Sequence, residues 1–253
     1  MNIRVKKTRD GSNAVKTMDI EEYLVGVVSS EMSEGWPMEA LMAQAVAART
    51  FALRHMQSAK GRTYDVDDTT AYQAYKDRKP GQCPRVEQAV RDTAGLVLLY
   101  GGKPASTNYS ASNGGRTVSA KERWGNAYAY LIAKDDPWDK ASGYKRYGHG
   151  VGMSQRGAQW AANNGVGYIT VLAFYFPGTV LAASYGATVT APVAPPETPK
   201  PTEPTTATYT VKKGDSLSKI AKANGLKWPD LAKLNGIKGP LYIIHPGQVL
   251  KLK

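Results

Sequence analysis

Polar and apolar positions change period several times along the chain. Asn2–Lys6 and Ala14–Met18 alternate with period two around Asp10-Gly11-Ser12-Asn13, the pattern of a β-hairpin closed by turn-forming residues. The period then lengthens. Leu24, Val27 and Val28 form an apolar stripe at helical spacing, and Asp19 with Glu22 three residues on makes a capping-box start for that helix. The stripe stops near Ser33–Gly35. Pro37 is placed to open a second helix running to about Met56, because a proline in the first turn forfeits no hydrogen bond. Alanines at 40, 43, 45, 47, 48 and 52 allow another helix to approach closely. Further on, Pro84–Thr93 reads as a short helix, Leu96–Tyr100, Ala105–Tyr109 and Tyr128–Ile132 as strands, and Ser154–Asn163 as the last helix, stopped by Gly165. Helices and strands mixed without regular alternation predict an α+β fold of helices and antiparallel strands.

Residues 187–207 interrupt this pattern. Six of the fifteen prolines fall there among Thr and Ala, so the stretch favours extended polyproline II and reads as a semi-rigid spacer. The expected organisation is a domain over 1–186, a linker over 187–207 and a small module over 208–253. The module reads strand, helix, helix, strand: Thr208–Lys212, Ser216–Asn224 capped by Asp215 and ended by Gly225, a helix from Pro229 to Gly236, and Gln248–Leu252.

Composition narrows the function classes. With 253 residues and 42% hydrophobic content, one or two domains with real cores are possible. A single cysteine, Cys83, excludes an intramolecular disulfide and a zinc site built from several cysteines. The longest apolar runs, Gly95–Tyr100 and Val171–Phe176, fall far short of the roughly 20 residues of a membrane span, so no membrane insertion is expected. The N-terminus carries charge without an apolar h-region, so no secretory signal is expected in it. Cytoplasmic residence, another export route and a leader already removed all stay open. Lys and Arg exceed Asp and Glu by 33 to 21, and residues 208–253 alone hold nine Lys against two Asp. Such a surplus favours an anionic partner, but no basic run is dense enough to point to nucleic acid, and none is expected.

Glu31 shares a narrow helical arc with Leu24, Val27 and Val28, which puts a carboxylate on the apolar face of its own helix. It also sits in the last turn, where the helix dipole disfavours negative charge. Both effects favour the protonated form, the state a glycosidic general acid needs near neutral pH. The structural alternative is an ion pair with an arginine such as Arg49, or a solvent-facing side chain. Gly148-His149-Gly150-Val151-Gly152-Met153-Ser154-Gln155 places glycines at period two before a helix; they allow close backbone approach to a ligand or to a neighbouring strand, and His149 is either functional or incidental. Tyr109-Ser110-Ala111-Ser112-Asn113-Gly114-Gly115-Arg116-Thr117 is rich in hydroxyls and amides, and Ala71-Tyr72-Gln73-Ala74-Tyr75 pairs aromatic surface with an amide. An ordinary loop and a strand with aromatic pairs are their respective alternatives.

Taken together, Glu22–Met32, Glu39–Thr50, Gln73-Ala74-Tyr75, Gly114-Gly115-Arg116-Thr117 and Gly148–Ala158, in that order, resemble the SpoIID/LytB family across residues 1–185. Tyr209–Leu217 with Pro246–Leu250 is similar to a LysM module. The resemblance implies a peptidoglycan lytic transglycosylase that cuts between N-acetylmuramic acid and N-acetylglucosamine, with Glu31 at the family's catalytic position. It implies that Gln73, Tyr75, Tyr109, Ser110, Ser112, Arg116, His149, Ser154 and Gln155 line the glycan groove. LysM modules bind N-acetylglucosamine polymers; the contacts would fall on Gly214, Asp215, Ser216 and Leu217 and on Tyr242, Ile243 and Ile244. The LytB branch implies another role, that of an amidase enhancer with a wall amidase as partner. Some SpoIID proteins bind zinc through Cys and His. Here only Cys83 is present in that region with no His near it, so no metal and no cofactor are expected. Ser33 stands where the family often has Pro after Glu-Met, and Asn113 where Ser is common. The implied place of action is the bacterial cell wall, reached by holin release from a phage or prophage or by secretion with a leader since removed.

Overall fold

A computed structural model describes residues 1–183, 208–211, 216–224, 226, 228–237 and 249–252. The chain divides into two units, Met1–Pro196 and Glu197–Lys253, and the expected linker at 187–207 lies outside the described residues.

In the first unit, strand β1 (Asn2–Lys6) pairs antiparallel with β2 (Val15–Asp19), Ile3 opposite Met18. Ile3, Val5 and Met18 are buried, so the period-two alternation turns one face of the hairpin to the core. Helix α1 (Ile20–Glu31) starts where Asp19 accepts a hydrogen bond from the Glu21 N–H, satisfying one orphan donor of the first turn. The reciprocal arm of the expected capping box is not made. Glu22 lies 3.9 Å from Lys16 instead. Leu24, Val27 and Val28 are fully buried, as the stripe predicts. They pack on α2 (Met38–Ser58), which follows Pro37 and buries all six of its spaced alanines. Those small side chains let Arg49, 1% exposed, thread the interior. Its guanidinium holds Glu21 at 2.9 and 2.6 Å and donates to the Val90 and Leu96 carbonyls. Arg49 is therefore occupied by Glu21, not by Glu31.

Strand β3 (Val66–Asp67) adds parallel to β1, and α3 (Pro84–Asp92) packs on α1 and α2. Strand β4 (Val97–Tyr100) lies between β5 (Lys103–Pro104) and β8 (Val180–Ala182), both antiparallel to it. Strand β6 (Tyr109–Ser110) pairs parallel with β7 (Met153–Ser154). Between them come α4 (Ala120–Trp124) and α5 (Pro137–Ser142); α6 (Gln155–Asn163) and α7 (Tyr168–Tyr175) follow β7. The fold is α+β, and its small sheets include parallel as well as antiparallel pairs.

Three expectations are corrected. The run Ala105–Tyr109 is irregular until Tyr109, because side chains take the backbone's partners: the Ser106 N–H donates to the Tyr130 hydroxyl, and the Thr107 hydroxyl ties to the Ala47 carbonyl. The run Tyr128–Ile132 is a turn, closed by the Leu131 N–H on the Tyr128 carbonyl; its apolar residues bury a loop, with Tyr130 and Leu131 inside. The last helix of this unit is α7, not α6. Its sequence, Tyr-Ile-Thr-Val-Leu-Ala-Phe-Tyr, is apolar almost all round, so it shows no helical period to find.

In the second unit, β9 (Thr208–Thr210) pairs antiparallel with β10 (Val249–Lys251), and α8 (Leu217–Ala223) packs with α9 (Trp228–Leu234). Val211, Ile220, Leu231 and Leu250 form its core. The Asn235 amide donates to the Lys251 carbonyl and accepts from the Lys251 N–H, clamping the end of α9 to β10. Among the described residues no helix is long and apolar enough to cross a membrane.

Candidate active site

Glu31 ends α1, and its carboxylate is held by two neutral donors. The Ala74 N–H reaches Oε1 at 3.0 Å and the Gln155 side-chain amide reaches Oε2 at 3.0 Å. Ala74 lies on the irregular stretch after β3, and Gln155 is the first residue of α6. Three distant segments thus converge on one half-buried acid. Burial pushes its carboxyl above the usual carboxylate range, opposed by those two hydrogen bonds. No cation is bonded to it among the described residues.

Behind the acid runs a chain of neutral groups. The Tyr109 hydroxyl donates to Gln73 Oε1 at 2.7 Å, and Gln73 Nε2 donates to the Tyr23 hydroxyl at 3.3 Å. Burial, with a smaller contribution from the nearby Glu31 charge, pushes both phenols well above their ordinary pKa, so they stay protonated and serve as fixed dipoles. Gln44 of α2 faces the Tyr109 hydroxyl, yet neither atom of its fully buried amide makes a hydrogen bond. On the outer side, the His149 ring lies 5.0 Å from that of Trp124. His149 Nδ1 accepts from the Val151 N–H, which leaves the proton of the neutral ring on Nε2. Burial lowers its pKa.

The structure therefore brings together Glu31, Gln73, Tyr109 and Gln155. It assigns other surroundings to the remaining residues. Tyr75 is buried, stacked on Tyr23 at 5.1 Å with its hydroxyl donating to Asp77, and it offers no open face to a sugar. The Ser110 hydroxyl accepts from the Gly150 N–H. The hydroxyls of Ser112 and Ser154 both donate to Asp139, at 2.9 and 2.6 Å. Arg116 is exposed and paired with Asp135 at 2.6 Å. The serines hold loops together, as buried hydroxyls do when a carboxylate is within reach. Tyr23, the Ala74 N–H and Asp139 were not among the expected residues. Among the described residues no three His, Cys, Asp or Glu side chains group to hold a metal ion.

Gly26 sets the position of Ala74. A Cβ at residue 26 would lie 2.8 Å from Tyr75 Cδ2 and 2.5 Å from the Lys76 carbonyl, so an alanine must displace that backbone. Gly26→Ala is expected to cost about 2 kcal/mol of stability by overpacking and to pull the Ala74 N–H off Glu31. Urea unfolding together with the amide shift of Ala74 checks it; an unchanged Ala74 resonance would contradict the buttressing role.

Residues 8–100, which include Glu31 and Gln73, match the family described as SpoIID, Stage II sporulation protein. Residues 209–253 match the LysM domain. The chain carries a SpoIID domain and a LysM domain. The SpoIID part is 35% identical over 150 residues to Stage II sporulation protein D of Bacillus subtilis, covering 53% of this chain and 43% of that protein. It is 41% identical over 121 residues to the amidase enhancer of the same organism, 48% of this chain and 16% of that protein. The LysM part is 56% identical over 46 residues to the probable peptidoglycan endopeptidase LytE of B. subtilis, 18% of this chain and 13% of that protein. The chain spans less than half the length of these relatives. Of the LysM residues expected to meet glycan, Gly214, Asp215, Tyr242, Ile243 and Ile244 lie outside the described residues, as does the Leu217 side chain; Ser216 is exposed at the start of α8.

Proposed function

We propose that the SpoIID domain cleaves peptidoglycan glycan between N-acetylmuramic acid and N-acetylglucosamine as a lytic transglycosylase, and that the LysM domain, residues 208–253, holds it to the bacterial wall. The observation carrying this reading is the state of Glu31: a half-buried carboxyl, raised in pKa by burial, held by an N–H and an amide instead of a cation. Burial shifts such a carboxyl towards its protonated form, the form a general acid must start from.

Glu31 donates its proton to the glycosidic oxygen as the bond from that oxygen to the muramic C1 breaks. The resulting carboxylate is stabilised where it stands by the Ala74 N–H and the Gln155 amide. It then takes the proton of the muramic 6-hydroxyl, whose oxygen bonds to C1 and gives a 1,6-anhydro end. Water is not consumed, so the second carboxylate that positions water in ordinary glycosidases is dispensable. This agrees with the neutral surroundings of Glu31: the buried carboxylates Asp136 and Asp139 are committed to internal donors. Tyr109, Gln73 and Tyr23 form a rigid wall behind the acid, and exposed Trp124 beside His149 offers a ring face to a pyranose.

Purified glycan strands, incubated with this protein alone and analysed by mass spectrometry, test the reading. Anhydro-ended fragments are expected; free reducing ends would mean hydrolysis. The likeness to an amidase enhancer favours one alternative, a non-catalytic partner of a wall amidase. That reading wins if no fragments form and an amidase is accelerated. The modular part has its own test. Removing residues 208–253 is expected to weaken wall binding by more than about tenfold through lost effective concentration. Turnover on soluble glycan should stay within about twofold of the full chain, and equal loss of both would contradict the division of labour.

A further inference from the structure

One residue beyond Gln155 the surface changes character. Tyr144, Lys145, Arg146, Tyr147 and Arg156 line a cleft of about 330 Å³. The Arg156 guanidinium lies 4.2 Å from the Tyr144 ring centre and 4.9 Å from that of Trp36, on the loop just after Glu31. Stacking of this kind fixes the direction of an arginine. One terminal nitrogen of Arg156 donates to Gln159 Oε1 at 3.1 Å, and its other donors are left for a ligand. Arg146 is anchored by its Nε on the Asn113 carbonyl and by a terminal nitrogen on the Arg116 carbonyl. Tyr147 is 77% exposed and Tyr144 50%. None of Lys145, Arg146 and Arg156 makes an ion pair among the described residues. Asp135 is paired with Arg116, and the buried Asp139 lies behind the cleft wall, accepting from Ser112 at 2.9 Å. Three cations without ion pairs, set against one buried carboxylate behind the wall, give the concavity a positive surplus, and two of them are held in place, which forms a site for an anion. The exposed tyrosines add flat apolar surface for whatever carries it.

We propose that this cleft takes a carboxylate borne by the glycan next to the bond that Glu31 cleaves. Muramic acid supplies one in two ways: the lactyl carboxylate of a stripped strand, or the carboxylates of a stem peptide on an unstripped one. The assignment of the occupant rests on reading the Glu31 site as a glycan-cleaving centre, since the cleft begins at the residue that follows Gln155. Charge attraction across the cleft adds to binding of the strand and does not enter the proton transfers.

The test uses the full chain and three substrates: stripped strands with free lactyl carboxylates, strands with stem peptides, and stripped strands whose lactyl carboxyls have been amidated. Binding is measured by calorimetry and cleavage by KM and kcat. Lys145→Ala alters an exposed side chain, and Arg146→Gln is checked by circular dichroism because Arg146 anchors backbone. The double variant is expected to raise Kd and KM about tenfold or more on a carboxylate-bearing strand, with kcat retained. On amidated strands the double variant and the parent should behave alike. Whichever of the first two substrates loses more identifies the source of the carboxylate. Equal weakening on amidated strands, or no weakening on either charged one, would overturn the proposal, as would capture of a polyglycerol phosphate without discrimination among the three strands. Calorimetry reads the cleft even if no strand is cut, so a failure of the catalytic reading stays distinct from a failure of this one.

Discussion

Glu31→Gln is expected to abolish release of 1,6-anhydro ends, by about 10³-fold or more, the usual worth of a positioned acid–base group, while wall binding persists. The same substitution is expected to stabilise the fold at neutral pH. Burial raises the Glu31 pKa above its unfolded value, so between the two values the native state binds the extra proton. Stability from this group is then present below the unfolded pKa and is lost as pH rises through the folded one. A glutamine escapes that loss, because it never ionises. The Gln155 amide can turn its oxygen towards the new side chain, so both hydrogen bonds survive. Chemical unfolding at acidic and neutral pH checks the sign: the variant should gain on the parent as pH rises. Activity of the parent should fall over the same range, as the acid loses its proton before substrate arrives. A variant that still forms anhydro ends, or that is destabilised at neutral pH, would remove Glu31 from its place in the mechanism.

Much of this site is legible along the chain, for reasons that differ residue by residue. Glu31 is visible because a helix repeats: a carboxylate in phase with Leu24, Val27 and Val28 must end near the apolar interior, and all three are fully buried. The Asp19 cap is visible because it acts within two residues of itself. Gln73, Tyr109 and Gln155 are reached through motif resemblance, since nothing local says that segments 36 or 124 residues apart will meet. Ala74 acts through its backbone N–H, which leaves no mark in residue type. Tyr23 hides among the apolar residues of α1, because a tyrosine looks like core until its hydroxyl partner is known. The serines read differently along the chain and in the fold. A cluster of hydroxyls beside glycines looks like a surface for sugar, but Ser112 and Ser154 spend theirs on Asp139. Asp139, in a short helix of its own, is linked to them only by the fold.

That carboxylate is where the largest loss of stability is expected. Asp139 is fully buried, and it accepts from the Ser112 hydroxyl at 2.9 Å, the Ser154 hydroxyl at 2.6 Å and the Gly115 N–H at 3.0 Å. It ties α5 to the Gly114-Gly115 turn and to the start of α6, the helix that presents Gln155 to Glu31. Asp139→Ala leaves buried donors without an acceptor and opens a void beside them. A cost of about 3 kcal/mol or more is expected, with catalysis falling as Gln155 drifts. Asp139→Asn should be much milder, at about 1 kcal/mol. Its carbonyl can keep Ser112 and the Gly115 N–H. Its amide can donate to the Ser154 oxygen, whose proton then turns to the Ala111 carbonyl at 3.5 Å. Urea midpoints of the two variants, followed by circular dichroism, separate a role in acceptance from a need for charge. Similar large losses in both would mean that the negative charge itself holds these loops, and small losses in both would mean that the hydroxyls find water when Asp139 is gone.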